Sequence, residues 1–133
     1  MATIIKTWAT SVELHQTAAY GGTDVVLAAD QAFDYTAAVD LRTTGSQGAQ
    51  VQIKYRGSNS TDKLVVEVFA SLDGTAFDSE PSVRYVLLNT GKPQQFSFIV
   101  EDVAFFRVGL KSSDTNTTFE YEINQQIWIL TNA

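Results

Sequence analysis

The chain has 133 residues, with 9 Lys and Arg against 15 Asp and Glu and a formal net charge of −6. It holds no Cys and a single His, His15, which excludes a disulfide framework, a thiolate metal site and a Cys nucleophile. The acidic balance also argues against nucleic acid as a partner, because phosphate contacts need clustered Lys and Arg.

The chain opens on Met1-Ala2-Thr3-Ile4-Ile5-Lys6. No basic stretch leads into an apolar run there, so no signal peptide is expected and synthesis in a cytoplasm is implied. No apolar run anywhere approaches the roughly 18 residues of a membrane span. Residues 1–36 are rich in Ala and Thr and weakly patterned. They read as an extended N-terminal arm plus a first strand, with Thr7–Leu14 the best strand candidate.

From residue 37 onward the period is two, the signature of half-buried strands. Val39 and Leu41 share a face opposite Asp40 and Arg42. Val51, Ile53 and Tyr55 oppose Gln50, Gln52, Lys54 and Arg56. Over 64–72, Val66, Val68, Ala70 and Leu72 form one face, and Val65, Glu67 and Phe69 a second face that is partly apolar. Segments 84–88 and 96–100 are apolar but shorter. Phe106, Val108 and Leu110 oppose Phe105, Arg107 and Lys111. Phe119, Tyr121 and Ile123 oppose Glu120, Glu122 and Asn124, and Gln126–Leu130 closes the chain as a compact apolar strand.

Turn chemistry separates these segments. The breaks fall at 44–48, 57–62, Asp73-Gly74, 89–93 and 112–116. Strands that recur this often without a helical period predict an all-β antiparallel sandwich, since a parallel sheet needs helical crossovers. A single domain over 1–133 is expected, with 1–36 the arm and first strand and 37–133 the main sandwich.

Charged residues make up 18% of the chain, below the roughly 25% of average domains. Thr, Ser, Gln and Asn take their place, a composition suited to surfaces that pack against other subunits. No catalytic, cofactor-binding or metal-ligating set is expected. His15, the only imidazole, reads as a surface residue of a polar strand. Asp73 and Asp78 flank a glycine-containing loop but lack the further oxygen ligands of a calcium loop, and read as a structural turn. Asn59-Ser60-Thr61 and Asn116-Thr117-Thr118 match glycosylation sequons and read as loop residues. Trp8, Tyr20, Tyr35, Phe77 and Trp128 are aromatics with no clear core face. Candidate protein contacts are Ile4, Ile5, Trp8, Tyr20 and Trp128. Arg107 reads as an outward residue that pairs with Glu67 or Glu101.

One region carries a resemblance. Leu64–Pro81, with Ser71-Leu72-Asp73-Gly74 leading into Phe77-Asp78, and the later run Gln95–Lys111, with Phe106-Arg107-Val108-Gly109, resemble small tailed-phage and prophage virion proteins. The similarity spans roughly residues 50–125. It implies a jelly-roll-like β-sandwich and a non-enzymatic virion structural role, foremost a capsid decoration (cement) protein. The implied partners are the major capsid protein or other virion subunits, with a homo-oligomer, trimer favoured, on the outer capsid surface. The same Ser-Leu-Asp-Gly strand-turn occurs in discoidin-like and carbohydrate-binding sandwiches. A carbohydrate-binding module or a tail or baseplate accessory module is therefore the alternative.

Overall fold

The computed structural model describes residues 4–16, 27–29, 32–42 and 46–132. Among them the chain forms ten strands and no helix. The strands are β1 (Ile4–Trp8), β2 (Val12–Gln16), β3 (Asp34–Tyr35), β4 (Val39–Asp40), β5 (Ser46–Gly57), β6 (Leu64–Ser71), β7 (Val83–Leu87), β8 (Gln94–Glu101), β9 (Phe105–Ser112) and β10 (Phe119–Asn132).

Two antiparallel sheets result. The first has the order β1-β10-β5-β8, with β2 also on β10; the second has the order β3-β9-β6-β7, with β4 also on β9. β1 and β2 lie in succession along one edge of β10, Trp8 opposite Trp128 and Val12 opposite Gln125. They act as one interrupted strand, and β3 and β4 do the same along β9. The fold then reduces to eight strands in two sheets of four. Every connection crosses from one sheet to the other except the one between β6 and β7. That is the double-sheet jelly roll.

The core lies between the inner faces. Ala49, Val51, Ile53, Tyr55, Phe98, Val100, Phe119, Tyr121 and Ile123 come from the first sheet, and Val39, Leu41, Leu64, Val66, Val68, Phe106, Val108 and Leu110 from the second. Period-two side-chain alternation produces this division, and each large apolar side chain buried this way stabilises the fold by about 1.5–3 kcal/mol. Two polar bonds cross or rim the core. The Tyr121 hydroxyl donates to Asp34 Oδ2 at 2.7 Å, and the Tyr55 hydroxyl to the Leu88 carbonyl at 2.7 Å. Burial pushes the Tyr55 phenol above its ordinary value.

Three expectations change. The segments 118–124 and 126–130 are one strand of 14 residues, β10. Leu72 does not continue the inner face of β6. It is 89% exposed, because the chain turns at Ser71. There the Asp73 carboxylate accepts the Thr75 and Ala76 N–H groups at 2.9 Å each, and Gly74 takes a φ of 79°, a conformation glycine adopts without a steric penalty. Those N–H groups, Ala76 first and then Thr75, with the Ser71 hydroxyl, hold the Asp73 carboxyl below the usual carboxylate range. Arg107, finally, pairs with neither Glu67 nor Glu101. Glu67 lies directly across from Arg84 and meets its guanidinium at 3.7 Å.

The Asn59 sequon is structural. Asn59 Oδ1 accepts from the Thr61 N–H at 3.0 Å and the Thr117 hydroxyl at 2.7 Å, and its Nδ2 donates to the Asn116 carbonyl at 2.7 Å. The side chain clamps two loops together, which fits the loop-residue reading.

Candidate functional site

The first sheet ends on an edge strand. β1 and β2 pair only with β10, so their outer backbone groups have no strand beside them among the described residues. Such an edge is a template for another chain, and proteins usually blunt it. Here the blunting is slight. Residues 9–11 interrupt the pairing, with the Ala9 N–H donating to the Ile127 carbonyl at 2.8 Å. Exposed apolar side chains lie around that break on both faces, Ile5 and Val12 on one and Trp8 and Leu130 on the outer surface.

The centre of this surface is a tryptophan pair. Register places Trp8 opposite Trp128 on the outer face of the sheet, with ring centroids 5.3 Å apart and planes tilted by 56°. Trp128 is 5% exposed and Trp8 is 41% exposed, so one ring is the floor and the other the upper surface. The floor needs Gly48, which lies across from Trp128 on β5. A Cβ there would come within 2.5 Å of the Trp128 ring and 2.7 Å of the Val100 carbonyl. Lys6 reaches over both rings, its Nζ 5.0 Å from the Trp8 centroid and 4.4 Å from that of Trp128. A cation over aromatic faces is held by the ring quadrupoles.

The fold thus gathers three of the five candidate contact residues, Ile5, Trp8 and Trp128, at one end of the first sheet. Ile4 joins them by backbone pairing with Asn132. Tyr20 lies outside the described residues. Further along the same face the residues become neutral and polar. Gln126 opposes Gln50, and Asn124 opposes Gln52, which opposes Ser97 on β8. His15 pairs through its backbone with Ile123 in β2. No group of three or more His, Cys, Asp or Glu side chains gathers among the described residues.

The outer face of the second sheet is different, and its organisation was not foreseen from the sequence. On β9, Phe105, Arg107, Gly109 and Lys111 alternate outward. The Arg42 guanidinium lies 4.2 Å from the Phe105 ring, Arg107 lies 3.9 Å from Tyr35 and 4.4 Å from Phe77, and Lys111 Nζ lies 4.6 Å from Phe33. Phe33, Tyr35 and Phe69 also pack on one another. Gly109 makes room for the rings, since a Cβ there would meet Tyr35 at 2.9 Å and Phe33 at 3.1 Å. The signal in the sequence was the outward order Phe-Arg-Gly-Lys, a glycine between two cations.

No protein-family model matches the chain, and no curated protein matches it. Solved structures match in fold. A chain in the structure of infectious bursal disease virus, Gx strain, aligns with 96% of this chain over 32% of its own length, at 9% identity and a TM-score of 0.53. The corresponding figures for the Gt strain are 95%, 32%, 8% and 0.56. This chain therefore spans about a third of the length of those viral chains. A CBM4 structure aligns at a TM-score of only 0.39, with 8% identity over 74% of this chain and 73% of its own, too distant to carry an argument. The viral likeness is one of fold: an all-β sandwich of two antiparallel sheets.

Proposed function

We propose that this chain is a non-enzymatic virion structural protein of a tailed phage, a capsid decoration (cement) protein that binds the assembled head from outside. The observation that carries the reading is the open β1 edge beside Trp8. An exposed edge strand gains main-chain hydrogen bonds from a neighbouring strand, and flanking apolar side chains add specificity. Trp8 supplies the large, shape-defining contact typical of interface hot spots. Three further points support it. The jelly roll is an architecture that viral capsids use. The likeness to the bursal disease virus chains extends over nearly all of this chain. A net charge of −6 suits an outer surface better than one facing packaged nucleic acid.

In this reading the partner is the major capsid protein or another virion subunit. The chain acts as a homo-oligomer, a trimer, in which the Trp8 patch and the β1 edge meet a neighbour. Co-sedimentation with assembled, expanded capsids tests it. The intact chain is expected to pellet with capsids. Trp8→Ala and removal of residues 1–8 are each expected to weaken this at least about tenfold, a typical hot-spot effect. A chain that ignores capsids, or variants that bind as well as the parent, would refute the proposal.

A further inference from the structure

The second sheet carries a device that capsid docking through β1 does not use. Four cations lie on its outer side: Arg42, Arg84, Arg107 and Lys111. Two have a carboxylate. Arg42 meets Asp40 at 3.1 Å, and Arg84 meets Glu67 at 3.7 Å. Arg107 has none. Its Nε is sealed from solvent without a hydrogen-bond acceptor, and neither terminal nitrogen has an acceptor among the described residues. In a chain with an excess of acids, a half-buried guanidinium without a carboxylate is an anomaly, because an unmet buried donor destabilises a fold.

Geometry says what would meet it. The guanidinium lies over both Tyr35 and Phe77, its Cζ 3.9 and 4.4 Å from the ring centroids. With Nε sealed, the terminal nitrogens are left as the part of the guanidinium that a ligand can meet. Arginine takes a carboxylate there through two parallel N–H···O bonds. Tyr35 is 38% exposed and Phe77 half-buried, so both rings keep solvent-accessible surface beside the guanidinium. The Tyr35 hydroxyl also has no partner among the described residues.

The placement is built in. Asp34 turns inward to accept the Tyr121 hydroxyl, so by strand alternation Tyr35 turns outward. Thr36 locks that register, its N–H donating to the Val108 carbonyl at 2.9 Å and its Oγ1 accepting the Val108 N–H at 3.1 Å. Gly109 leaves the space into which Tyr35 folds. Phe77 arrives on the loop held by Asp73 and is fixed through a bridge to Ser71.

We infer that this clamp is a binding site for a carboxylate-bearing sugar. Arg107 receives the carboxylate, Tyr35 and Phe77 wall the C–H faces of the ring, and the Tyr35 hydroxyl is free to bond a sugar hydroxyl. A saccharide fits better than an acidic peptide side chain, because a carboxylate set directly on a rigid ring brings its apolar C–H faces against both walls at once.

The test titrates the intact protein with glucuronate-containing oligosaccharides and with their neutral glucose counterparts. Binding is followed by the NMR signals of the Arg107 Nε–H and the Tyr35 ring. The acidic sugar is expected to shift both signals and to bind at least about tenfold more tightly than the neutral one, the usual strength of a charge-assisted hydrogen bond. Arg107→Lys is expected to lose at least about tenfold, because lysine keeps the charge without the planar fork. Trp8→Ala is expected to leave binding unchanged. Equal binding of the neutral sugar, full binding by Arg107→Lys, or unmoved signals across an array of carboxylated sugars would overturn the site. Tighter binding of a glutamate-rich peptide than of the sugar would overturn the saccharide assignment. The wild-type signals report on the site directly, so it is tested even where a variant fails to fold.

Discussion

The two outer faces of this sandwich solve the same packing problem in opposite ways. Each seats an aromatic residue over a glycine of the adjoining strand, Trp128 over Gly48 on the first sheet and Tyr35 over Gly109 on the second. Trp128 is sunk, and its neighbours continue outward into an open edge with Ile5 and Trp8 in solvent. Tyr35 instead stacks on an arginine and helps close a compact cluster of rings and cations. The first arrangement offers length, an unpaired strand with apolar side chains. The second offers a point, one guanidinium beside two rings. A long apolar edge suits another protein chain, and a framed point charge suits a small charged group.

Substitutions separate these designs. The largest effect is expected for Trp128→Ala, about 3–5 kcal/mol of lost stability, the usual range for emptying a buried tryptophan site. Tyr35→Ala should lose far less, because that ring is partly in solvent. Chemical denaturation of both variants checks the contrast, and equal losses would dissolve it. Gly48→Ala comes next. The added methyl meets both the Trp128 ring and the Val100 backbone carbonyl, and backbone cannot swing aside, so about 1–3 kcal/mol is expected. Gly109→Ala meets only rings that can rotate toward solvent. Its melting temperature should fall less than that of Gly48→Ala, while the Arg107 clamp opens.

The smallest effect concerns pH. Asp73 is held below its ordinary value of 3.8, first by the Ala76 N–H. A depressed carboxyl contributes stability above the unfolded-state value, and that contribution is lost as pH falls through the folded one. Stability should therefore decline below about pH 3.8 in the parent and less steeply in Asp73→Asn. Melting temperatures between about pH 2 and 6 would show it, and parallel curves for the two proteins would contradict it. The same variant loosens the loop that carries Phe77, so its effect belongs to the second face and should leave Trp8 and Trp128 untouched.

Much of the fold was legible because half-buried strands write their burial into alternate residues. Val51, Ile53 and Tyr55 on β5, Phe106, Val108 and Leu110 on β9, and Phe119, Tyr121 and Ile123 on β10 all turn inward as their spacing implies. Alternation fails where a side chain captures the backbone. Leu72 keeps the spacing of the β6 inner face yet points to water, since Ser71 and Asp73 have already turned the chain. The site residues were legible singly but not as a set. Trp8 and Trp128 stood out as aromatics without a core face, but their contact depends on the pairing of the first strand with the last, more than a hundred residues away. Arg107 was harder. Its apparent partner Glu67 is aligned with Arg84 by the β6–β7 register, and its actual neighbours Tyr35 and Phe77 come from distant loops and edges that no local pattern announces.

The docking role of the first sheet is tested most directly by hydrogen exchange on the intact chain, alone and with assembled capsids. The amides of Ile4–Trp8 that point away from β10 are expected to exchange readily in the free protein and to become protected on the capsid, while those of β7 and β8 are unchanged. Protection confined to the β7 or β8 edge, or none at β1 in a particle that demonstrably carries the protein, would contradict that role.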